Sequence, residues 1–153
     1  MKMAIFWICV LLIATGVAIF LRGRHVDEIE SSKIVPHTIH IGSLTIPVTV
    51  VNTPELRERG LSGLRALPVG TGMLFDMESI GNHGIWMKEM LFSIDILWID
   101  ELNRINTIIA HAGPDSYPRI FYPSSPALYV LEVNAGFAEE QKIKIGDRVS
   151  FVE

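Results

Sequence analysis

The chain has 153 residues, 49% of them apolar and 20% charged, with a formal net charge of −4. An apolar-rich, charge-poor composition excludes intrinsic disorder, and 12 Gly, 8 Pro and 1 Cys exclude collagen-like and disulfide-framework classes. The negative balance argues against a nucleic-acid binder.

The first element is an apolar run from Met3 to Leu21 that carries no charge. As a helix it reaches roughly 28 Å, close to the hydrocarbon thickness of a bilayer. A buried core helix and a cleaved signal peptide are the alternatives. A signal peptide has a shorter apolar region ending in a small-x-small site, and Ile19-Phe20-Leu21-Arg22 offers none. The reading adopted is an uncleaved anchor, residues 1–21, with a transmembrane helix over 3–21. Cys9 is an apolar residue of that span. Lys2 before it and Arg22 and Arg24 after it nearly cancel as orientation signals. A very short N-terminal head stays inside, which puts the rest of the chain on the outer face of the cytoplasmic membrane.

Residues 22–36 are polar, acid-rich and end at Pro36; they read as a tether. Residues 31–153 carry 10 Lys+Arg against 14 Asp+Glu, so the whole net charge belongs to this part. That disfavours anionic lipid and phosphate backbones as partners.

From residue 37 to 153 the pattern is mainly strands. Thr38–Ile41 and Leu44–Val51 form a hairpin through Gly42-Ser43, and Pro47 marks the second as an edge. Thr53 caps a short helix with Pro54 at its first position, a Glu55–Arg59 pair along it and Gly60 as its stop. Further strands are expected at Met73–Met77, Gly84–Met87, Ile94–Ile99, Arg104–Ala110, Ala127–Val133 and Arg148–Val152. Glu101-Leu102-Asn103 is a tight connection, and Gly146-Asp147 a turn. Asn134 is the expected cap of a second helix over Ala135–Gln141. Eight strands and two short helices predict an α+β fold, mainly β: a small barrel or strongly bent antiparallel sheet.

Several runs, in order, resemble one family. They are Thr53-Pro54-Glu55 with Arg59-Gly60-Leu61, Gly72-Met73-Leu74-Phe75, Trp86-Met87-Lys88, Ile94-Asp95-Ile96 with Ile99-Asp100, Tyr129 to Gly136, and Gly146-Asp147-Arg148-Val149. Together they resemble domain-of-unknown-function family 192 over roughly residues 38–152. The resemblance implies a small β-rich domain, often behind an export signal or anchor, and implies no activity.

Two acids sit in apolar strands. Period two puts Asp95 on the face of Leu97 and Ile99, and Glu132 on the face of Leu128 and Val130. If those faces are buried, each charge must be paired, hydrogen-bonded or neutralised. Lys88 shares a face with Trp86 and is the nearest cation; a hairpin through Glu89–Ser93 would bring it to Asp95. That pair is either structural or, with Trp86 and Glu132, part of a pocket. The segment from His111 to Pro126 holds four of the eight prolines with Tyr117, Arg119, Phe121 and Tyr122. It either folds back over one end of the barrel or walls a binding groove.

No metal or cofactor is expected. His37 and His40 point to opposite sides of a strand, His83 reads as a turn residue, and no Cys pair or HExxH spacing occurs. Ser62 lacks a marked base, and Gly70-Thr71-Gly72 is too short for a phosphate loop. The candidate ligand-binding set is Trp86, Lys88, Asp95, Glu132, Asn134, Tyr117, Arg119 and Tyr122. Two functions fit: a membrane-tethered, extracytoplasmic binding module for a cell-envelope ligand or protein partner, or a tethered hydrolase or other enzyme using Asp95 or Glu132 with Lys88.

Overall fold

The computed structural model describes residues 35–152. The anchor expected over 3–21 and most of the tether lie outside these residues. The chain divides into two units at Lys33–Ile34. Among the described residues no helix is long and apolar enough to cross a membrane.

The hairpin forms as expected. β1 (Val35–Ile41) pairs antiparallel with β2 (Leu44–Val51), Ile39 facing Ile46. Gly42, at φ 61°, supplies the left-handed conformation a two-residue hairpin turn needs. Residues 35 and 36, read as tether, already belong to β1. α1 (Pro54–Arg59) carries the expected cap: Leu56 N–H donates to Thr53 Oγ1 at 3.3 Å. It stops at Gly60, whose φ is 48°.

β3 (Gly72–Gly81) then runs parallel to β2, with Val48 opposite Gly72 and Val51 opposite Phe75. The sheet is therefore mixed rather than wholly antiparallel. The connection through α1 is long enough for the crossover that parallel neighbours require. β2 is an interior strand, but its ladder to β3 starts at Val48, so Pro47 sits where β2 has one neighbour, β1. Proline is tolerated there because one side of the strand needs no donor.

The remaining strands are β4 (Ile85–Trp86), β5 (Ile94–Ile99), β6 (Ile105–Ala112), β7 (Ile120–Phe121), β8 (Ala127–Asn134) and β9 (Val149–Val152), with α2 (Phe137–Glu140) after β8. Seven of the nine strands among the described residues form one sheet in the order β6-β5-β8-β3-β2-β1-β9, and β4 and β7 form a separate ribbon. The sheet curls until its outer strands approach. Arg104 bridges Arg148, Ile105 N–H donates to the Asp147 carbonyl at 3.0 Å, and Val149 N–H donates to the Asn103 carbonyl at 2.8 Å. The result is a half-barrel.

Both faces of its central strands are buried. The concave face holds Ile39, Ile46, Leu97, Ile99, Leu131 and Val149, closed off by Phe137 and Ala138 of α2. On the convex face Phe75, Ile96, Trp98 and Val130 pack against Leu61, Ile85, Met87, Met90 and Phe121, delivered by the loops and the β4–β7 ribbon. All six residues of β5 are buried as a consequence.

Candidate functional site

Asp95 and Glu132 occupy opposite faces of this sheet. In the register of β5 and β8, Ile96 stands opposite Glu132 and Asp95 opposite Val133. Side chains alternate, so Glu132 points to the convex side and Asp95 to the concave interior. The two acids therefore do not converge on one site.

Asp95 is fully buried and its carboxylate is spoken for. Oδ1 accepts from His111 N–H at 2.9 Å and Gly136 N–H at 3.1 Å, and Oδ2 accepts from Ala138 N–H at 3.0 Å. Two of these donors begin α2, so Asp95 performs the capping expected of Asn134, which lies too far from the helix start. Gly136 takes the cap position, with φ 84° and no side chain to offer. Asn134 instead donates to the Leu67 and Pro68 carbonyls at 3.1 and 3.3 Å, tying the segment before β3 to the end of β8.

The expected Lys88–Asp95 pair does not form. Both neighbours of β5 are already in place, β6 on one side and β8 on the other. β4 therefore leaves the sheet and pairs with β7, with Ile85 opposite Phe121 and Trp86 opposite Ile120. Lys88 Nζ lies 5.5 Å from the centre of the Trp86 ring, a cation–π arrangement.

The convex face carries a pocket of about 370 Å³. Its floor includes Glu132, 5% exposed, between Met73 of β3 and Ile96 of β5. Its walls are apolar: Leu61, Phe75, Met77, Ile85 and Met90. Arg57, Glu58 and Arg59 of α1, Ser62, His83 and Trp86 also line it. Glu132 has no hydrogen-bond partner, whereas no fully sealed side-chain polar atom among the described residues lacks one. Its unpaired oxygens are thus the ones that reach the pocket. Burial without a compensating charge disfavours the carboxylate and pushes its pKa up to about 8.

The other polar groups of the lining are partly committed. Arg57 donates to the Asp76 carbonyl at 2.7 Å and to Glu78 Oε2 at 3.3 Å. His83 Nε2 meets the Ser79 carbonyl at 2.7 Å, and the His83 carbonyl accepts from Trp98 Nε1–H.

The proline-rich segment divides its aromatics. Phe121 enters the convex core, so part of the segment does cover the sheet, while Tyr117 and Tyr122 remain exposed. Tyr117 meets Trp86 edge-on at 6.4 Å between ring centres. Tyr122 and Ile120 close over Gly84, where an added Cβ would stand 2.7 and 2.6 Å from them. Arg119 lies over the Phe121 ring at 4.8 Å. Of the expected set, Trp86 and Glu132 share the pocket, Tyr117, Tyr122 and Lys88 adjoin its Trp86 side, Arg119 lies over the ribbon, and Asp95 and Asn134 stand apart. Sequence reasoning missed Arg57, Arg59, His83, Met77 and Met90. A helix of alternating charges and a Gly-flanked histidine look structural until β3 and α1 are brought together.

These features define a small, curled β domain with a carboxyl-floored pocket on its convex face. The DUF192 family model, described as "Uncharacterized ACR", matches residues 37–151, and the chain belongs to that family. No curated protein matches the chain. Among solved structures it is similar to a Sinorhizobium meliloti protein described as a "putative transcription regulator", at 30% identity and a TM-score of 0.73 over 78% of this chain and 95% of that one. It is also similar to a protein of unknown function from Novosphingobium aromaticivorans, at 28% identity and a TM-score of 0.69 over 76% and 84%.

Proposed function

We propose that this chain is a membrane-tethered binding module whose β domain stands on the outer face of the cytoplasmic membrane and takes a small ligand into the convex pocket. The observation that carries the pocket reading is Glu132: a buried carboxyl with no partner, open to a cavity of ligand size. The apolar run 3–21 supports the tether. Trp86, 41% exposed at the mouth and flanked by Tyr117, offers contact area at low entropic cost.

We prefer binding to the enzymatic alternative because Asp95 lies on the opposite face of the sheet from Glu132 and Lys88 is engaged with the Trp86 ring. The regulator description of the S. meliloti relative is not carried over as DNA binding. An excess of acids over bases in residues 31–153 repels a phosphate backbone.

The test is a thermal-shift screen of the full chain in detergent against cell-envelope fragments, on wild type and Glu132→Leu. The expected result is a class of fragment that raises the melting temperature of wild type and not of the variant. Equal shifts in both would overturn the pocket assignment. Fractionation tests the tether: recovery of a soluble mature chain lacking residues 3–21 would overturn it.

A further inference from the structure

We infer that the convex pocket receives an uncharged carboxamide, either a primary amide or a lactam, which pairs with both edges of the Glu132 carboxyl. The inference rests on the binding-module reading and names the ligand chemistry of the same site.

Glu132 stands among apolar neighbours on the convex face. Its cross-strand neighbours are Met73 and Ile96, and the same face continues with Phe75, Trp98 and Val130. β3, β5 and β8 therefore turn no ionisable group toward it on this face. The β3–β4 loop contributes His83, whose Nε2 is held by the Ser79 carbonyl. α1 contributes Arg57, Glu58 and Arg59; the Arg57 head is held by the Asp76 carbonyl and Glu78. With no cation joined to it, the carboxyl rests in its neutral form.

A neutral carboxyl presents one donor and one acceptor side by side. Few ligand groups match both. A hydroxyl has a single oxygen and meets one edge at a time. An ammonium would demand a charged Glu132 in a desolvated place. A carboxylate would stand as a second acid beside Glu132 among Leu61, Phe75 and Met90, with the Arg57 head already held by the Asp76 carbonyl and Glu78. A primary amide or lactam carries C=O and N–H on one edge and is uncharged. Its carbonyl accepts the Glu132 proton while its N–H donates to the other oxygen. A trans peptide unit has the same two groups on opposite sides and cannot pair with both. The apolar walls suit an aliphatic or aromatic body behind the amide.

The experiment uses the full chain in detergent micelles, labelled with ¹³C at the Glu side-chain carboxyl; the Glu132 signal is the one absent from Glu132→Gln. The probes are 2-pyrrolidinone, butyramide, N-methylacetamide and butylammonium, with affinities from ligand-observed NMR. The expected result is saturable binding of pyrrolidinone and butyramide at pH 6 that moves the Glu132 signal, with N-methylacetamide weaker. Affinity should fall about tenfold per pH unit once the carboxyl ionises. Glu132→Gln, which keeps a donor and an acceptor on one edge, should bind the amides without that pH dependence; Glu132→Leu should not bind them. The glutamine side chain of a blocked tripeptide binding as well as butyramide would point to a peptide source, and its failure beside butyramide binding to a free small molecule; either upholds the amide chemistry. Butylammonium binding more tightly than butyramide, or N-methylacetamide equalling it, would overturn the inference and leave the pocket reading standing. No probe moving the Glu132 signal would overturn both.

Discussion

Glu132 and Asp95 are carboxyls on neighbouring strands, and their environments give them different roles. Asp95 collects three backbone N–H donors, from His111, Gly136 and Ala138. Asp95→Leu leaves those donors facing apolar carbon; at about 1–3 kcal/mol for each buried unsatisfied donor, the loss should be at least about 3 kcal/mol in urea unfolding. Lys88 takes no part, so a double-mutant cycle with Lys88→Met should show coupling below about 0.5 kcal/mol. Glu132 has the opposite problem. Its folded pKa, about 8, lies above the usual carboxyl value, so the native state holds a proton that the unfolded chain gives up. Its contribution is fully present below the ordinary carboxyl pKa and is lost as pH rises toward 8, by up to about 1.4 kcal/mol per pH unit in that window. Glu132→Gln should flatten this dependence and exceed wild type in stability at pH 8, read by urea unfolding at pH 5, 6.5 and 8. Equal slopes in the two proteins would mean that Glu132 is ionised in the native state. The oddity of both acids was legible from apolar neighbours at period two. The partners of Asp95 were not, because they are amides 16 to 43 residues away that only the closed fold brings near.

At the scale of elements, α1 was the most legible piece, since its start and stop are both local chemistry. Thr53→Ala removes the oxygen that accepts Leu56 N–H and should cost about 1 kcal/mol. Gly60→Val should cost more. The position has φ 48°, and an added Cβ would approach Phe75 Cζ to 3.2 Å, on the wall of the pocket. A neutral result for Gly60→Val in the same unfolding assay would mean that the helix ends elsewhere. The β4–β7 ribbon was the least legible. Ile120-Phe121 is two residues long and stands between Pro118 and Pro123, so no periodicity can declare it a strand. Without β7 in view, β4 had no partner but β5, and the Lys88–Asp95 hairpin followed from that gap. Gly84 is the key to the ribbon. Any side chain there meets Ile120 and Tyr122 below 3 Å. Gly84→Ala should therefore push Tyr122 off the ribbon, seen as faster quenching of tyrosine fluorescence with little change in far-UV circular dichroism.

For the whole molecule, the sheet has two buried faces, and this explains why period-two reasoning found two anomalous acids when one core face would bury only one. Strand propensity and turn chemistry carry the number of main strands, yet they do not say which edges meet. The meeting of β6 and β9 depends on curl accumulated over seven strands and on a turn, Lys144 to Asp147, that returns the chain to Ile105. Gly146 N–H donates to the Ile105 carbonyl at 2.8 Å, and Val149, with no exposure, fills the concave core beside Ile39 and Ile41. The last strand is thus a closing element for the half-barrel, and the two ends of the chain should respond differently to truncation. Removing residues 1–33 takes away the other unit and none of this network, so the shortened chain should unfold in urea with the same midpoint and slope as the full chain. Removing residues 147–153 exposes Ile105, Ile39 and Ile41 along an open edge and strips the partners of β1 and β6. That chain should lose its cooperative transition and bind a hydrophobic dye. A sharp, native-like transition without β9 would show that the hairpin of β1 and β2 closes the concave core unaided, and the seam at Arg104 and Arg148 would then be a consequence of the curl and not its support.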